Sequence, residues 1–197
     1  MSVIETLSNE RFQKNLALGQ AAETEIAKWL IKRGTVLLPI YDIEYVTGKG
    51  PRVFCKFGQY VAPDFFAWRG GRICWIEAKH KKHFAWNRTF KKWVTGIDLR
   101  HYENYCALAD MLHFPVLLFF LHKDSRPSVA DIKNGSPLSC PTGLFGRELQ
   151  FLRNNVCQSW KRPPNHPDKH SEAMVYWKHE TLRLISRIDE FSLDSDE

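Results

Sequence analysis

Asp64 and Glu77-x-Lys79 stand at the two ends of an otherwise apolar and aromatic stretch, PDFFAWRGGRICWIEAK (63–79). Carboxylates held together in an apolar setting repel one another and lose hydration. Such a pair makes sense around a hard divalent cation such as Mg²⁺, which takes carboxylate oxygens, keeps several waters and acts as a Lewis acid. A lysine beside that centre can orient or help deprotonate a bound water, or neutralise charge developing on a phosphate. The competing reading involves no chemistry: Lys79 pairs with Glu77 and Asp64 as a structural ion triad at a sheet edge.

The element that must position these groups is a hairpin. Gly70-Gly71 is a two-residue turn signal between two apolar runs, QYVAPDFFAWR (59–69) and RICWIEAK (72–79). With those glycines as the turn, Arg69 faces Arg72, Phe66 faces Trp75 and Asp64 faces Glu77. Strand alternation puts Lys79 on the face of Glu77, and Phe65, Ala67, Cys74, Ile76 and Ala78 on the other. A third acid comes from a helix expected over 9–33 and ending near Gly34, with Leu16, Ala22, Ile26, Trp29 and Leu30 at helical spacing. On a helical wheel Glu23 lies inside the stripe formed by Leu16, Gly19, Ile26, Ala27 and Leu30. Lys28 and Lys32 fall opposite, and Glu25 at its edge. An acid aimed at the sheet completes a carboxylate cluster, or else pairs with a core lysine or arginine.

The remaining pattern supplies the scaffold. TVLLPIYDIEYV (35–46) reads as a strand interrupted by Pro39, and TGKGPR (47–52) as a loop. Thr95 with Asp98 predicts a capping box opening a helix through TGIDLRHYENYCALADMLH, and FPVLLFFLH (114–122) a strand buried on both faces. The order helix, strand, strand, strand, helix, strand predicts an α/β fold with a mixed sheet covered by helices. Residues 1–122 form this core, and 123–143 a linker or surface loop. Residues 144–191 make a C-terminal α+β extension packed on the core: a helix over 144–160, a proline-rich loop over 161–170, an edge strand over 174–177 and an amphipathic helix over 180–191. An acidic tail closes the chain at 192–197.

The 197 residues, 44% of them hydrophobic, suffice for a real core. The net charge of +6 leans toward an anionic partner, and its distribution says more. From Ala78 to Ile97 there is no acid, but there are Lys79, Lys81, Lys82, Arg88, Lys91 and Lys92, with His80 and His83. That is the footprint of phosphate binding, or of a solvated lysine-rich loop. Lys81, Lys82, Arg88, Lys91 and Lys92 are placed to neutralise phosphates. Trp86 or Phe84 either stacks on a base or anchors the loop to the protein. Five cysteines without a C-x-x-C pair point to a reducing compartment, and the N-terminus lacks a signal-peptide pattern. A soluble, intracellular (cytoplasmic) protein is the expectation. Cys140, Cys157, His166 and His170 make a poor zinc set, because the histidines flank Pro167 in a loop. TGKG (47–50) lacks the spacing of a phosphate loop.

Pro63-Asp64 and Glu77-Ala78-Lys79, with Gly19-x-x-x-Glu23 on the preceding helix, resemble the PD-(D/E)XK nuclease superfamily, in particular archaeal Holliday junction resolvases and related small phage-type nucleases. The resemblance covers roughly residues 15–122. It implies a restriction-endonuclease-like core and metal-dependent hydrolysis of DNA phosphodiesters. Asp64 and Glu77 would ligate Mg²⁺ or Mn²⁺, with the Ala78 carbonyl as a further ligand. Lys79 would position the attacking water, and Glu23 would assist a metal or its waters. Several branches carry Gln-x-x-x-Tyr on the helix after the ExK strand. Here that helix reads LRHYENYCALAD, so Tyr102 and Tyr105 are the aromatic candidates and the branch is not fixed. A structure-selective or weakly specific endonuclease is expected. The alternatives are a restriction-type enzyme reading a short sequence, or a DNA-binding or assembly module on a nuclease fold, with a homodimer as one possible state.

Overall fold

A computed structural model describes residues 23–40, 51–160 and 173–191. Helix α1 (residues 23–32) leads into strand β1 (Val36–Pro39). A separate hairpin follows, β2 (Arg52–Cys55) with β3 (Gly58–Val61). Strands β4 (Phe65–Arg69) and β5 (Arg72–Lys81) then pair antiparallel, as Phe65↔Ile76, Phe66↔Trp75 and Arg69↔Arg72. This is the register expected from the glycine turn. Gly70 and Gly71 take φ of 55° and 72°, the two positive values that a tight hairpin turn demands.

A short hairpin, β6 (Ala85–Asn87) with β7 (Lys92–Asp98), precedes helix α2 (Leu99–Leu112). The helix delivers the chain to β8 (Val116–His122), which runs parallel to β5. The crossover expected from the apolar run VLLFFLH is therefore present, and that strand is buried along nearly its whole length. The three antiparallel strands β1, β4 and β5, the helix α2 and the strand β8 reproduce the anticipated core order. β9 (Gly143–Glu148) and β12 (Arg183–Ser186) extend the same sheet, giving the order β1-β4-β5-β8-β9-β12. A second sheet has the order β10-β11-β7-β6, with β10 (Gln158–Trp160) and β11 (Met174–Lys178). Short helices α3 (Val129–Lys133) and α4 (Leu149–Arg153) complete the described structure.

Several expected elements differ. The run 59–69 is not one strand. Ala62 donates its N–H to the Pro51 carbonyl (2.9 Å) to close the β2–β3 hairpin, and Pro63, with no N–H to give, starts a new direction. Thr95 is buried inside β7 and caps nothing, so the helix begins one turn later, with Asp98 as its N-cap and no side-chain bond to it. The strand expected to be an edge, 174–177, lies between β10 and β7. The helix expected over 144–160 is strand β9, the short α4 and strand β10. The one expected over 180–191 is strand β12 between two 3-10 turns. Gly143 and Gly146 weaken a helix at the start of the first stretch. In the second, an open ladder on β9 overrides the helical spacing of the apolar residues. Residues 41–50, the proline-rich 161–170 segment, Leu16, Gly19 and the acidic tail lie outside the described residues.

Apolar side chains fill both faces of the large sheet. Ile26, Trp29 and Leu30 of α1 pack on Phe65, Ala67, Ile76, Ala78 and Phe119. On the other face Trp75, Leu118, Phe120 and Phe145 share a core with Tyr105 of α2 and with Ile97, Val175 and Trp177 of the second sheet. That second contact depends on a close approach at Gly96, where an added Cβ would stand 2.2 Å from the Val175 carbonyl oxygen. The carbonyl belongs to the paired strand β11 and cannot swing aside. Gly96→Ala is therefore expected to cost about 3 kcal/mol, read as a lowered urea midpoint with an unchanged slope.

Candidate active site

Glu77, Lys79 and Lys81 alternate along one face of β5, the face turned toward α2. Glu77 is 1% exposed, and its carboxylate forms an ion pair with the Lys79 ammonium. The Tyr105 phenol on α2 also hydrogen-bonds to this carboxylate. Asp64 sits one residue before β4, so the Asp64–Glu77 pair that the hairpin arithmetic predicts lies just beyond the paired residues. The turn of chain at Pro63 leaves it free to fold its Oδ2 onto the Ala78 N–H at 2.7 Å. Its own carbonyl accepts the Ile40 N–H at 2.9 Å, so β1 also holds it. The two carboxylates still share one neighbourhood. Burial first, then the charges of Glu77 and Glu23, hold Asp64 well above the ordinary range, against the opposing pull of Lys79 and the Ala78 N–H.

Glu23 reaches this cluster from the first described turn of α1. Its carboxyl is raised by burial, lowered by Lys79 and raised by Glu77. The apolar stripe of α1 lies on the opposite face of the sheet, so Glu23 meets the cluster from the helix end rather than from directly above. Glu25 points elsewhere and pairs with Lys123 at 2.6 Å. Burial pulls the Lys79 ammonium down, but Glu77, Asp64 and Glu23 together outweigh it and raise it. Lys79 is thus a firmly held cation at neutral pH.

Helix α2 lays Tyr105 and His101 against the same charges. Tyr105 is 1% exposed, and its phenol is pushed well up by burial and then by Glu77 and Asp64. His101 lies 4.0 Å from Asp98 and is held down by burial and then by Lys79, against the pull of Glu77 and Asp98. The sequence reading did not single it out. Its spacing, three residues after Asp98 and four before Tyr105, marks one helical face and was the available signal. Tyr102 turns away to the Trp177 ring and Cys106.

The basic segment is part of the fold. Phe84 is fully buried and stacked on His122, with ring centres 3.7 Å apart. Trp86 packs edge-on against Trp93 at 4.9 Å and gives its backbone N–H to Asp131 Oδ1 of α3 at 2.9 Å. Asp131 also closes the α3 capping box with Ser128, so the 123–143 stretch braces this hairpin. Lys82, Arg88 and Lys91 are exposed, whereas Lys92 pairs with Glu180 at 2.7 Å. Lys81 adjoins Lys79 and is lowered by burial and by that neighbour. Cys140 donates to the Asp124 carbonyl and Cys157 to that of Tyr176, while His166 and His170 lie outside the described residues.

Among the described residues, no group of three or more His, Cys, Asp or Glu side chains is placed to hold a metal ion. The donor set suits a cation that takes one or two carboxylates and keeps its water. The crowding of Asp64, Glu77 and Glu23 is what such a cation would relieve.

The raised carboxyl of Asp64 has a consequence for stability. A group whose folded pKa exceeds its unfolded value stabilises most below the unfolded pKa, and that contribution is lost as pH rises through the folded value. Metal-free protein is therefore expected to lose stability from about pH 4 upward. In Asp64→Asn the amide oxygen still accepts from Ala78, so that decline should flatten and the melting temperature at pH 8 should rise. Each unit of upward shift removed is worth about 1.4 kcal/mol. Melting curves from pH 4 to 9 in chelator check this.

No family model and no curated protein matches this chain. Among solved structures it is similar to Hjc, a Holliday junction resolvase of the archaeal hyperthermophile Archaeoglobus fulgidus, at 12% identity and a TM-score of 0.44, over 83% of this chain and 90% of that one. It is also similar to D212, a nuclease from a fusselovirus, at 13% identity and a TM-score of 0.35, over 93% of this chain and 88% of that one. No helix among the described residues is long and apolar enough to cross a membrane.

Proposed function

We propose that this protein is a divalent-metal-dependent nuclease that hydrolyses DNA phosphodiester bonds as a structure-selective or weakly specific endonuclease. The observation that carries the reading is the convergence of Asp64, Glu77, Lys79 and Glu23, with Glu77 buried and faced by a single cation, Lys79, among three carboxylates. A buried acid cluster kept only for stability is a poor bargain, since apolar residues of the same volume would serve as well or better.

Asp64 and Glu77 would hold Mg²⁺ or Mn²⁺, with the Ala78 carbonyl as a further ligand and Glu23 hydrogen-bonding its waters. When bound, the ion would supply Lewis-acid polarisation of the phosphate and a more acidic water. The chain's own residues do the rest. The Ala78 N–H fixes the rotamer of Asp64, and α2 closes the floor of the site with Tyr105. Lys79, charged at neutral pH, orients the attacking water in line with the phosphorus and offsets the negative charge that develops on the phosphoryl oxygens. Lys81, Lys82, Arg88 and Lys91 face the flanking phosphates. Nothing in this arrangement reads base edges.

A cleavage panel of four-way junction, flap, single-stranded and duplex DNA, with Mg²⁺ and with Mn²⁺, tests the reading. Cutting concentrated at branched or unpaired DNA is expected. A discrete banding pattern on plasmid duplex would favour a restriction-type enzyme. Salt-sensitive binding without cleavage under either metal would favour a non-catalytic module.

A further inference from the structure

The β2–β3 hairpin is the one described element that joins neither larger sheet. It carries Phe54 and Phe57 at 67% and 72% exposure, among the most exposed large apolar side chains described. The Lys56 ammonium lies 4.8 Å from the centre of the Phe57 ring. Core packing does not explain such rings, and single exposed apolar residues need no explanation. Two phenylalanines with a lysine between them on one projecting arm are a different matter.

The arm is built into the candidate active site. Val61 of β3 donates its N–H to Asn104 Oδ1 on α2 at 2.8 Å, and α2 is the helix that presents His101 and Tyr105. β3 then runs through Ala62 and Pro63 directly into Asp64. At most about 23 Å of extended chain separates Phe57 from Asp64, and the hydrogen bond to α2 fixes the direction of departure.

We infer that the β2–β3 hairpin is a docking arm for unpaired nucleobases beside the cleavage site. The rings of Phe54 and Phe57 stack on bases of a single-stranded or splayed segment, and Lys56 meets the adjoining phosphate. Duplex bases are already stacked and offer no free face, so the arm selects for branched or frayed DNA. A partner protein would also cover apolar rings. A lysine between them in sequence, its ammonium beside the Phe57 ring, on a chain of net charge +6 instead matches a ligand that is aromatic and anionic at once. The inference rests on the nuclease reading for the class of ligand, and it names the structural feature that ligand must have.

Equilibrium binding in EDTA separates the two. Fluorescein-labelled single strand, flap and blunt duplex are titrated with wild type, the Phe54→Ala/Phe57→Ala double variant and Phe57→Trp. Both phenylalanines are exposed, so the fold does not depend on them. The double variant is expected to lose at least about tenfold in affinity for single strand and flap, and to hold duplex affinity within about twofold. Phe57→Trp should match or exceed wild type. A double variant that binds unpaired DNA as well as wild type does, or that loses duplex affinity equally, overturns the docking arm, as does a wild type that binds no DNA. Wild type that shows the predicted binding pattern but cuts nothing under Mg²⁺ or Mn²⁺ defeats the nuclease reading alone.

Discussion

Replacing Lys79 by methionine is expected to cut the single-turnover cleavage rate by about 10³-fold while DNA affinity changes little. A preorganised cation aimed at developing charge contributes about 3–4 kcal/mol of barrier lowering, and each 1.4 kcal/mol is a factor of ten. Methionine keeps most of the buried stem but removes the ammonium, so the loss falls on the chemical step rather than on binding. The same substitution removes the cation paired with Glu77, which is 1% exposed and is left with the neutral Tyr105 phenol beside it. Leaving a buried charge uncompensated costs about 3 kcal/mol, so metal-free Lys79→Met should also melt markedly below wild type. Adding Glu77→Gln removes the stranded charge and should recover most of that stability without recovering cleavage. Rapid-quench kinetics and melting curves on the single and double variants check both halves. Normal stability in metal-free Lys79→Met would show that the Glu77–Lys79 pair is not the coupled unit described here.

Glu77→Gln alone is expected to abolish Mg²⁺-dependent cleavage, by about 10³-fold or more, with the fold intact. Glutamine fills the same volume in the same β5 position, and its amide needs no counter-charge. The lost quantity is the hard anionic oxygen that a divalent cation requires. An independent readout follows from linkage: a ligand present at 100 times its dissociation constant stabilises the native state by about 2.7 kcal/mol. Wild type should therefore melt higher in Mn²⁺ than in chelator, and Glu77→Gln should show no such shift. A Mn²⁺-dependent rise of wild-type size in Glu77→Gln would move the ion away from this carboxylate.

The core order was legible in the sequence, and so was the placement of the candidate residues on β5, for a local reason. Gly70-Gly71 fixes the β4–β5 register through two positive φ angles, and that register, with strand alternation, puts Glu77 and Lys79 on one face. Glu23 is found by helical periodicity within α1, again a short-range signal. The ladder stops one pair short of Asp64 and Glu77 because Pro63 has no N–H to continue it, and the Asp64 carboxylate accepts the Ala78 N–H there. The strands β9 and β12 were read as helices because their apolar spacing fits either period. Their true assignment depends on β8 and on each other, pairings made far along the chain. Phe84 looks identical in sequence whether it meets a base or His122. Only the approach of β8 to the basic segment decides it. His101 was passed over because a lone histidine on a helix has many structural uses; its neighbours Asp98 and Tyr105 reveal its face.

The central claim is that Asp64, Glu77 and Lys79 form one metal-dependent hydrolytic centre. The most direct measurement is single-turnover cleavage of end-labelled flap DNA by wild type and Asp64→Asn, each in Mg²⁺ and in EDTA. Cleavage by wild type in Mg²⁺ alone is expected, with loss of at least about 10³-fold in EDTA and in Asp64→Asn. Cleavage that persists at the wild-type rate in EDTA, or in Asp64→Asn, would contradict it.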